Sequence, residues 1–235
     1  MSKIIDYQTL QLQSLDISIC SGEGDLSKRI QYLQKLKGIQ KPAAEISHSA
    51  AIVKIPKEKA LLLNVPLDSD NLYVTETTTL NKWCGKKGLQ INSFQEWLRN
   101  YNGRVWVRKL DFTRTADFDT ELVKFIFQHL QDPKSQKYES GIPGLLELIL
   151  CEFGIKKSIL QTAELHCTEW VAELLKRFKL LFDYVSSNRM PPCEWWGDIN
   201  VITGFTILCS KIYDIRQSSL DLFILAPISK PIRIK

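Results

Sequence analysis

The sequence predicts an α+β domain in which an antiparallel sheet packs against helices. Five strand-like runs lie between Leu15 and Arg108, and amphipathic helical spacing dominates between Leu122 and Leu181. No internal repeat or low-complexity linker divides the 235 residues, a length that can bury one sizeable core. We therefore expect one domain over residues 1–189 and a C-terminal extension over residues 190–235 that packs on it.

The first predicted elements are a strand and a helix. Leu15–Cys20 alternates apolar and polar residues, which is typical of a half-buried strand, and Gly22 and Gly24 interrupt the pattern. From Leu26 to Leu36 apolar residues recur every three or four positions, which is the spacing of an amphipathic helix. Gly38 is expected to end this helix.

The next segments predict further strands of the sheet. His48–Ile55 and Ala60–Val65 are apolar runs separated by a charged turn, and Leu72–Thr77 is rich in β-branched and aromatic residues. All three segments are therefore assigned to the sheet.

A short helix and another strand follow. Ser93 and Glu96 have the spacing of a capping box, which predicts a helix that runs through Tyr101. Asn102–Gly103 then predicts a turn, and Arg104–Arg108 alternates as a strand does.

The remainder of the chain is mainly helical before it returns to β-like runs. Leu122–Leu130 carries one amphipathic stripe, and Thr168–Leu181 has a second helical pattern. Beyond two consecutive prolines, Val201–Leu208 and Leu220–Leu225 have the composition of strands.

Composition and charge are those of an ordinary globular protein, with 44% hydrophobic and 24% charged residues. The basic residues that give the net charge of +5 are scattered along the chain, and only Lys230–Lys235 is locally basic. We therefore expect at most weak contact with an anionic surface and no nucleic-acid partner. Met1–Ser18 has no signal-peptide pattern and no apolar run is long enough to span a membrane, which favours a cytoplasmic location. The sequence pattern indicates no particular oligomeric state.

The cysteines have no spacing typical of a metal site. They form no C-x-x-C pair and no zinc-finger arrangement with the three histidines, so neither a metal nor another cofactor is predicted. In a reducing compartment they are expected to be free thiols, with structural roles for all except one. The six are Cys20, Cys84, Cys151, Cys167, Cys193 and Cys209.

Cys167 is the exception because it stands where a loop ends and a helix begins. A thiol at that place is close to unpaired backbone N–H groups and to the positive end of the helix dipole, both of which lower its pKa. The same N–H groups, including that of Cys167 itself, can stabilise an oxyanion. The alternative is a buried cysteine that only packs at a helix start.

A nucleophilic cysteine needs a base and a group that orients the base. His48 opens a strand directly after Ser47, and Glu76 lies 28 positions later near the end of another strand. If these strands are neighbours, the carboxylate can hold the imidazole in one tautomer. Taken singly, His48 can equally be a satisfied polar residue and Glu76 a surface carboxylate.

Five segments in order resemble the permuted NlpC-type (YiiX-like) papain-like proteins. These segments are Leu15–Ile19, Gly24–Ile30, Ile46–Val53, Tyr73–Thr77 and His166–Val171. The resemblance covers about residues 12 to 180 and implies a circularly permuted papain-like fold, because the order is histidine, glutamate, cysteine. The tail beyond Arg189 has no counterpart in it.

The resemblance implies a cysteine peptidase or amidase, or a lipid acyl hydrolase. Cys167 would be the nucleophile, His48 the general base and Glu76 the group that orients His48, with a peptide or an acyl lipid as substrate. An acyltransferase would use the same residues. A catalytically inactive binding or structural protein on the same fold is the alternative from another class.

Other polar and aromatic residues have weaker signals. Ser47, Trp195 and Trp196 are candidates for substrate contacts, although the two tryptophans can equally anchor the C-terminal extension. His166 adjoins Cys167, but neighbouring residues at a helix start point in different directions. His129 lies inside a helical pattern and is expected to be a satisfied side chain.

Overall fold

The computed structural model describes residues 7–36, 38–41, 43–78, 84–110, 112–133 and 167–181, together with four strands nearer the C-terminus. The strands of the first part are β1 (Ile17–Gly22), β2 (His48–Lys54), β3 (Leu72–Thr78), β4 (Gly88–Ser93) and β5 (Gly103–Leu110). The helices are α1 (Asp25–Leu36), α2 (Lys57–Leu62), α3 (Phe94–Asn100), α4 (Phe118–Leu130) and α5 (Cys167–Arg177). The later strands are β6 (Ile199–Asn200), β7 (Phe205–Thr206), β8 (Cys209–Gln217) and β9 (Phe223–Ile224).

The main sheet is open and its strand pairs are antiparallel. Its order is β4-β3-β2-β1-β5, and β8 and then β9 continue it beyond β5. Strands β6 and β7 pair separately with each other. The prediction of an antiparallel sheet packed against helices is therefore confirmed.

The sheet is covered on both faces. Alternate side chains such as Ile17 and Trp106 belong to one core, which also contains Leu122 of α4 and Trp170 of α5. The opposite face packs in a second core against α3 and the segment that precedes β1. The expectation that the first strand is half-buried is therefore wrong, because every residue of β1 is buried, including polar Ser18 at 0% exposure.

The helices predicted from amphipathic spacing and from capping are confirmed. Helix α1 ends at Leu36, and Gly38 follows it with a φ of +78°, a conformation that glycine adopts without strain. Helix α3 begins after Ser93, whose hydroxyl accepts a hydrogen bond from the backbone N–H of Glu96 at 3.3 Å. The spacing along α4 and α5 likewise matches the buried sides of these helices.

The assignment of Ala60–Val65 to the sheet is wrong. Pro56 lies at the N-cap of α2, and Ala60 packs in the core while Leu61 and Leu62 are exposed. A short apolar run has no periodicity that separates a strand from a helix, so the sequence pattern alone did not distinguish them.

The C-terminal strands match the predicted runs only in part. The predicted runs Val201–Leu208 and Leu220–Leu225 each contain one short strand, β7 or β9, whereas the nine-residue β8 lies between them. β8 pairs with β5 from Val105 to Leu110 and so extends the sheet. No helix within the described ranges is long and apolar enough to cross a bilayer.

Candidate active site

Four polar side chains lie in a row across one end of the sheet. Cys20 near the end of β1 is opposite His48 at the start of β2, and Glu76 near the end of β3 is opposite Gln90 on β4. The adjacency of β2 and β3, on which the pairing of His48 with Glu76 depends, is present in the sheet. All four side chains are buried, with Cys20 at 0% exposure and His48 at 9%.

His48 and Glu76 form a short hydrogen-bonded ion pair. The Nε2 atom of His48 lies 2.6 Å from Oε2 of Glu76, and Glu76 is only 2% exposed. An imidazole with Nε2 occupied by a carboxylate retains Nδ1 as its second nitrogen. In the neutral tautomer with the proton on Nε2, Nδ1 is an acceptor for the proton of another group.

Cys167 is the first residue of α5, which packs in the core that contains Ile17 and Trp106, and it lies beside His48. One turn later, the indole N–H of Trp170 donates to Oγ1 of Thr75 at 3.1 Å, which fixes α5 against β3. Thr75 is the neighbour of Glu76 along that strand. The Cys167 thiol lies close enough to His48 for each group to shift the pKa of the other, so the structure brings Cys167, His48 and Glu76 together.

The sulfur of Cys167 is held in a setting that favours the thiolate. Burial alone would raise the pKa of Cys167, but the charge of His48, its hydrogen bond, and the backbone N–H groups of Ser49 and Thr168 lower it below its ordinary value. Cys167 also begins the helix, and the N–H groups of a first helical turn have no acceptor within the helix, so such groups can bind an anion.

His48 is held in its charged form by its two partners. Burial alone would lower the pKa of His48, but the Cys167 thiolate, followed by Glu76, outweighs burial and raises it to about 10. A thiolate and an imidazolium therefore stabilise each other, and Glu76 balances the charge on the far side. Such a pair is a sulfur nucleophile beside a proton donor.

Two residues of this cluster had no functional role in the sequence analysis, Gln90 and Tyr101. Nε2 of Gln90 donates to Oε1 of Glu76 at 3.1 Å. The Tyr101 ring stacks on His48 at a centroid distance of 6.3 Å, and its phenol lies near enough to the Cys20 thiol to influence the pKa of that thiol. The alternation of Leu89 and Ile91 with polar residues is the signal that predicts β4 and would have placed Gln90 on the sheet.

Burial also determines the state of Cys20 and Tyr101. It raises the pKa of both groups well above their ordinary values, and the Glu76 carboxylate and the Cys167 thiolate raise them further. Cys20 is therefore an uncharged thiol beside the reactive pair. Its side chain packs in the second core.

The other sequence candidates lie elsewhere or make structural contacts. The Ser47 hydroxyl is buried and accepts from the backbone N–H of Gly22 at 3.0 Å, which ties the end of β1 to the start of β2. Nδ1 of His129 lies 3.0 Å from the carbonyl oxygen of Phe125, as expected for a satisfied helical histidine. The other candidates lie outside the described residues: His166, Trp195, Trp196, Cys151, Cys193 and the basic tail Lys230–Lys235.

Three of the six cysteines have described side chains. Cys20, Cys84 and Cys167 are free thiols. Among the residues that the structure describes, no three histidine, cysteine, aspartate or glutamate side chains are arranged to hold a metal ion.

Comparisons with known proteins add no assignment. No model of a known protein family matches the chain, and no curated protein matches its sequence. The function is therefore inferred from the geometry and chemistry of the site.

Proposed function

We propose that the chain is a cysteine hydrolase that cleaves an amide or ester bond through an acyl-enzyme on Cys167. The observation that carries the proposal is that His48 is hydrogen-bonded to Glu76 and lies beside the Cys167 thiol, near enough for the two groups to shift each other's pKa. A thiol at a helix start, a base and an orienting carboxylate are the groups that nucleophilic attack on a carbonyl requires. The order of these residues and the antiparallel sheet support the finer proposal of a circularly permuted papain-like fold.

The reaction begins from the pair of Cys167 thiolate and His48 imidazolium, in which the thiol proton has already passed to the imidazole. The sulfur attacks the carbonyl carbon, and the oxyanion that forms is stabilised by the backbone N–H of Cys167. Collapse of this intermediate breaks the amide or ester bond, and the imidazolium gives its proton to the leaving nitrogen or oxygen. His48 then takes a proton from water, whose oxygen attacks the thioester and releases the acid and the free thiol.

Peptides and acyl lipids are the proposed substrate classes, because both present a carbonyl with a nitrogen or oxygen leaving group. Transfer to an acceptor other than water would need the same three residues.

Trapping the acyl-enzyme tests the proposal without knowledge of the natural substrate. Purified protein is incubated with p-nitrophenyl esters of short to long acyl chains and with N-acyl amino-acid anilides, quenched in acid and examined by intact-mass and peptide-mapping mass spectrometry. We expect an acyl adduct on Cys167 that neutral hydroxylamine removes, as it does from a thioester. Cys167→Ala should lose the adduct, and Cys209→Ala, which changes the first residue of β8, should keep it. Absence of any adduct on Cys167 across the set would overturn the proposal.

A further inference from the structure

The Glu76 carboxylate has a second partner besides His48. Gln90 is its cross-strand neighbour on β4, is 2% exposed, and donates from Nε2 to Oε1 of Glu76 at 3.1 Å. Oε2 of the same carboxylate is taken by His48. With one oxygen held by each neighbour, the carboxylate cannot rotate without breaking a buried hydrogen bond, which is costly.

The Cys84 thiol determines which way the side-chain amide of Gln90 points. Sγ of Cys84 donates to Oε1 of Gln90 at 3.3 Å, so the amide oxygen faces the thiol and the amide nitrogen faces Glu76. The reversed amide would place an oxygen against a carboxylate oxygen. Cys84, Gln90, Glu76 and His48 thus form a chain of hydrogen bonds that leads to Cys167.

We propose that Gln90 is a positioning residue of the reaction, because it holds the Glu76 carboxylate in the orientation that aligns the imidazole of His48 with Cys167. This inference rests on the proposed function, and it assigns Gln90 a role that acts through Glu76 and involves no contact with substrate. A donor to a carboxylate also stabilises its charge, so Gln90 supports the imidazolium on the other side of Glu76.

The same strand provides a matched control. Asn92 follows two positions later on the same face of β4, is also 2% exposed, and is opposite Val74. Its Nδ2 has no hydrogen-bond partner among the described residues. Gln90→Met and Asn92→Leu therefore each replace a buried amide by an apolar side chain of similar size, but only the first removes a contact with Glu76.

The test measures alkylation of Cys167 by iodoacetamide between about pH 5 and 8, where an ordinary thiol is nearly inert at the acid end. We expect Gln90→Met to slow the reaction at about pH 6 by roughly tenfold, as befits the loss of a hydrogen bond to a charged group. It should also move the pH midpoint of the reaction upward, because a less firmly held carboxylate stabilises the imidazolium and hence the thiolate less. Asn92→Leu should leave both unchanged.

An exchange of the two side chains separates positioning from folding. In Glu76→Gln, Gln90 attracts the new amide oxygen and turns the new NH₂ group toward His48, which forces the imidazole into the tautomer that cannot accept the thiol proton. In the double variant Glu76→Gln/Gln90→Glu, the new carboxylate accepts from that NH₂ group and the amide oxygen faces His48 again. We therefore expect the double variant to react faster than Glu76→Gln alone.

Each outcome decides the role of Gln90. Wild-type reactivity in Gln90→Met, an equal loss in Asn92→Leu, or a double variant no faster than Glu76→Gln would overturn it. If His48→Ala reduces the reactivity of Cys167 but Gln90→Met does not, the inference fails while the proposed function stands. If His48→Ala leaves the reactivity unchanged, both fail.

Discussion

Replacement of Glu76 by glutamine is expected to lower the pKa of His48 and to change its tautomer. The substitution preserves the shape of a side chain that is 2% exposed and removes the charge that lies 2.6 Å from Nε2 of His48. An opposite charge at this range moves a pKa by about 1 to 3 units, which corresponds to about 1.4 to 4 kcal/mol in favour of the charged imidazole. We therefore expect the pKa of His48 to fall by about that amount in Glu76→Gln.

The assay is ¹⁵N NMR of histidine-labelled protein over a pH series, with His48 assigned by its absence in His48→Ala. A Cys167→Ser background removes the thiolate, so that the change reports the carboxylate alone. Ring nitrogen shifts also distinguish the tautomers, and the variant should show the proton on Nδ1 where the parent shows it on Nε2. A change in the pKa of less than about half a unit, or an unchanged tautomer, would refute the assigned role of Glu76.

Three further predictions test how the fold positions the site. Gly103→Ala should destabilise the protein by at least about 2 kcal/mol in urea unfolding, because φ is +148° and the added Cβ would lie 2.1 Å from the carbonyl oxygen of Ser21. Gly24→Ala is the control, since a Cβ added there meets no neighbouring atom within 4 Å, and equal effects of the two substitutions would contradict this reasoning. Ser93→Ala should cost at least about 1 kcal/mol, because it removes both the N-cap of α3 and the hydrogen bond that Oγ of Ser93 donates to the buried Asp68; an unchanged unfolding midpoint would contradict both contributions. Trp170→Phe and Thr75→Val should each slow alkylation of Cys167, because each removes the same hydrogen bond between α5 and β3. The double variant should therefore be no slower than either single variant, and fully additive effects would argue against that bond.

The sequence patterns anticipated the fold where periodicity was strong. The run from His48 and the β-branched segment from Leu72 became adjacent strands, and the Ser93 cap began a helix as expected. Ala60–Val65 was misassigned because six residues without alternation do not distinguish a strand from a short helix. The half-buried pattern of β1 was misleading because polar residues on both faces of the sheet are covered, which depends on packing partners far away in the chain.

The central residues of the site could be predicted because their types and order are unusual, whereas the residues that hold them in place could not. Cys167 at a helix start and His48 at a strand start are visible in the sequence. Gln90 and Tyr101 gain their significance only from the register of β4 with β3 and from the path of the chain after α3. Such relations between distant segments arise from tertiary packing, and no local spacing encodes them.

The most direct test of the proposed nucleophile is its reactivity at low pH. Wild-type protein and His48→Ala are alkylated with iodoacetamide across a pH series, and the labelling of all six cysteines is followed by peptide mapping. Cys84 is an internal reference, because it is a partly exposed free thiol outside the contact with His48. We expect Cys167 to react at about pH 6, where an ordinary thiol is well under one per cent ionised, and to react roughly tenfold or more slowly in His48→Ala. Labelling of Cys167 no faster than that of Cys84, or an unchanged rate in His48→Ala, would contradict a thiolate nucleophile paired with His48.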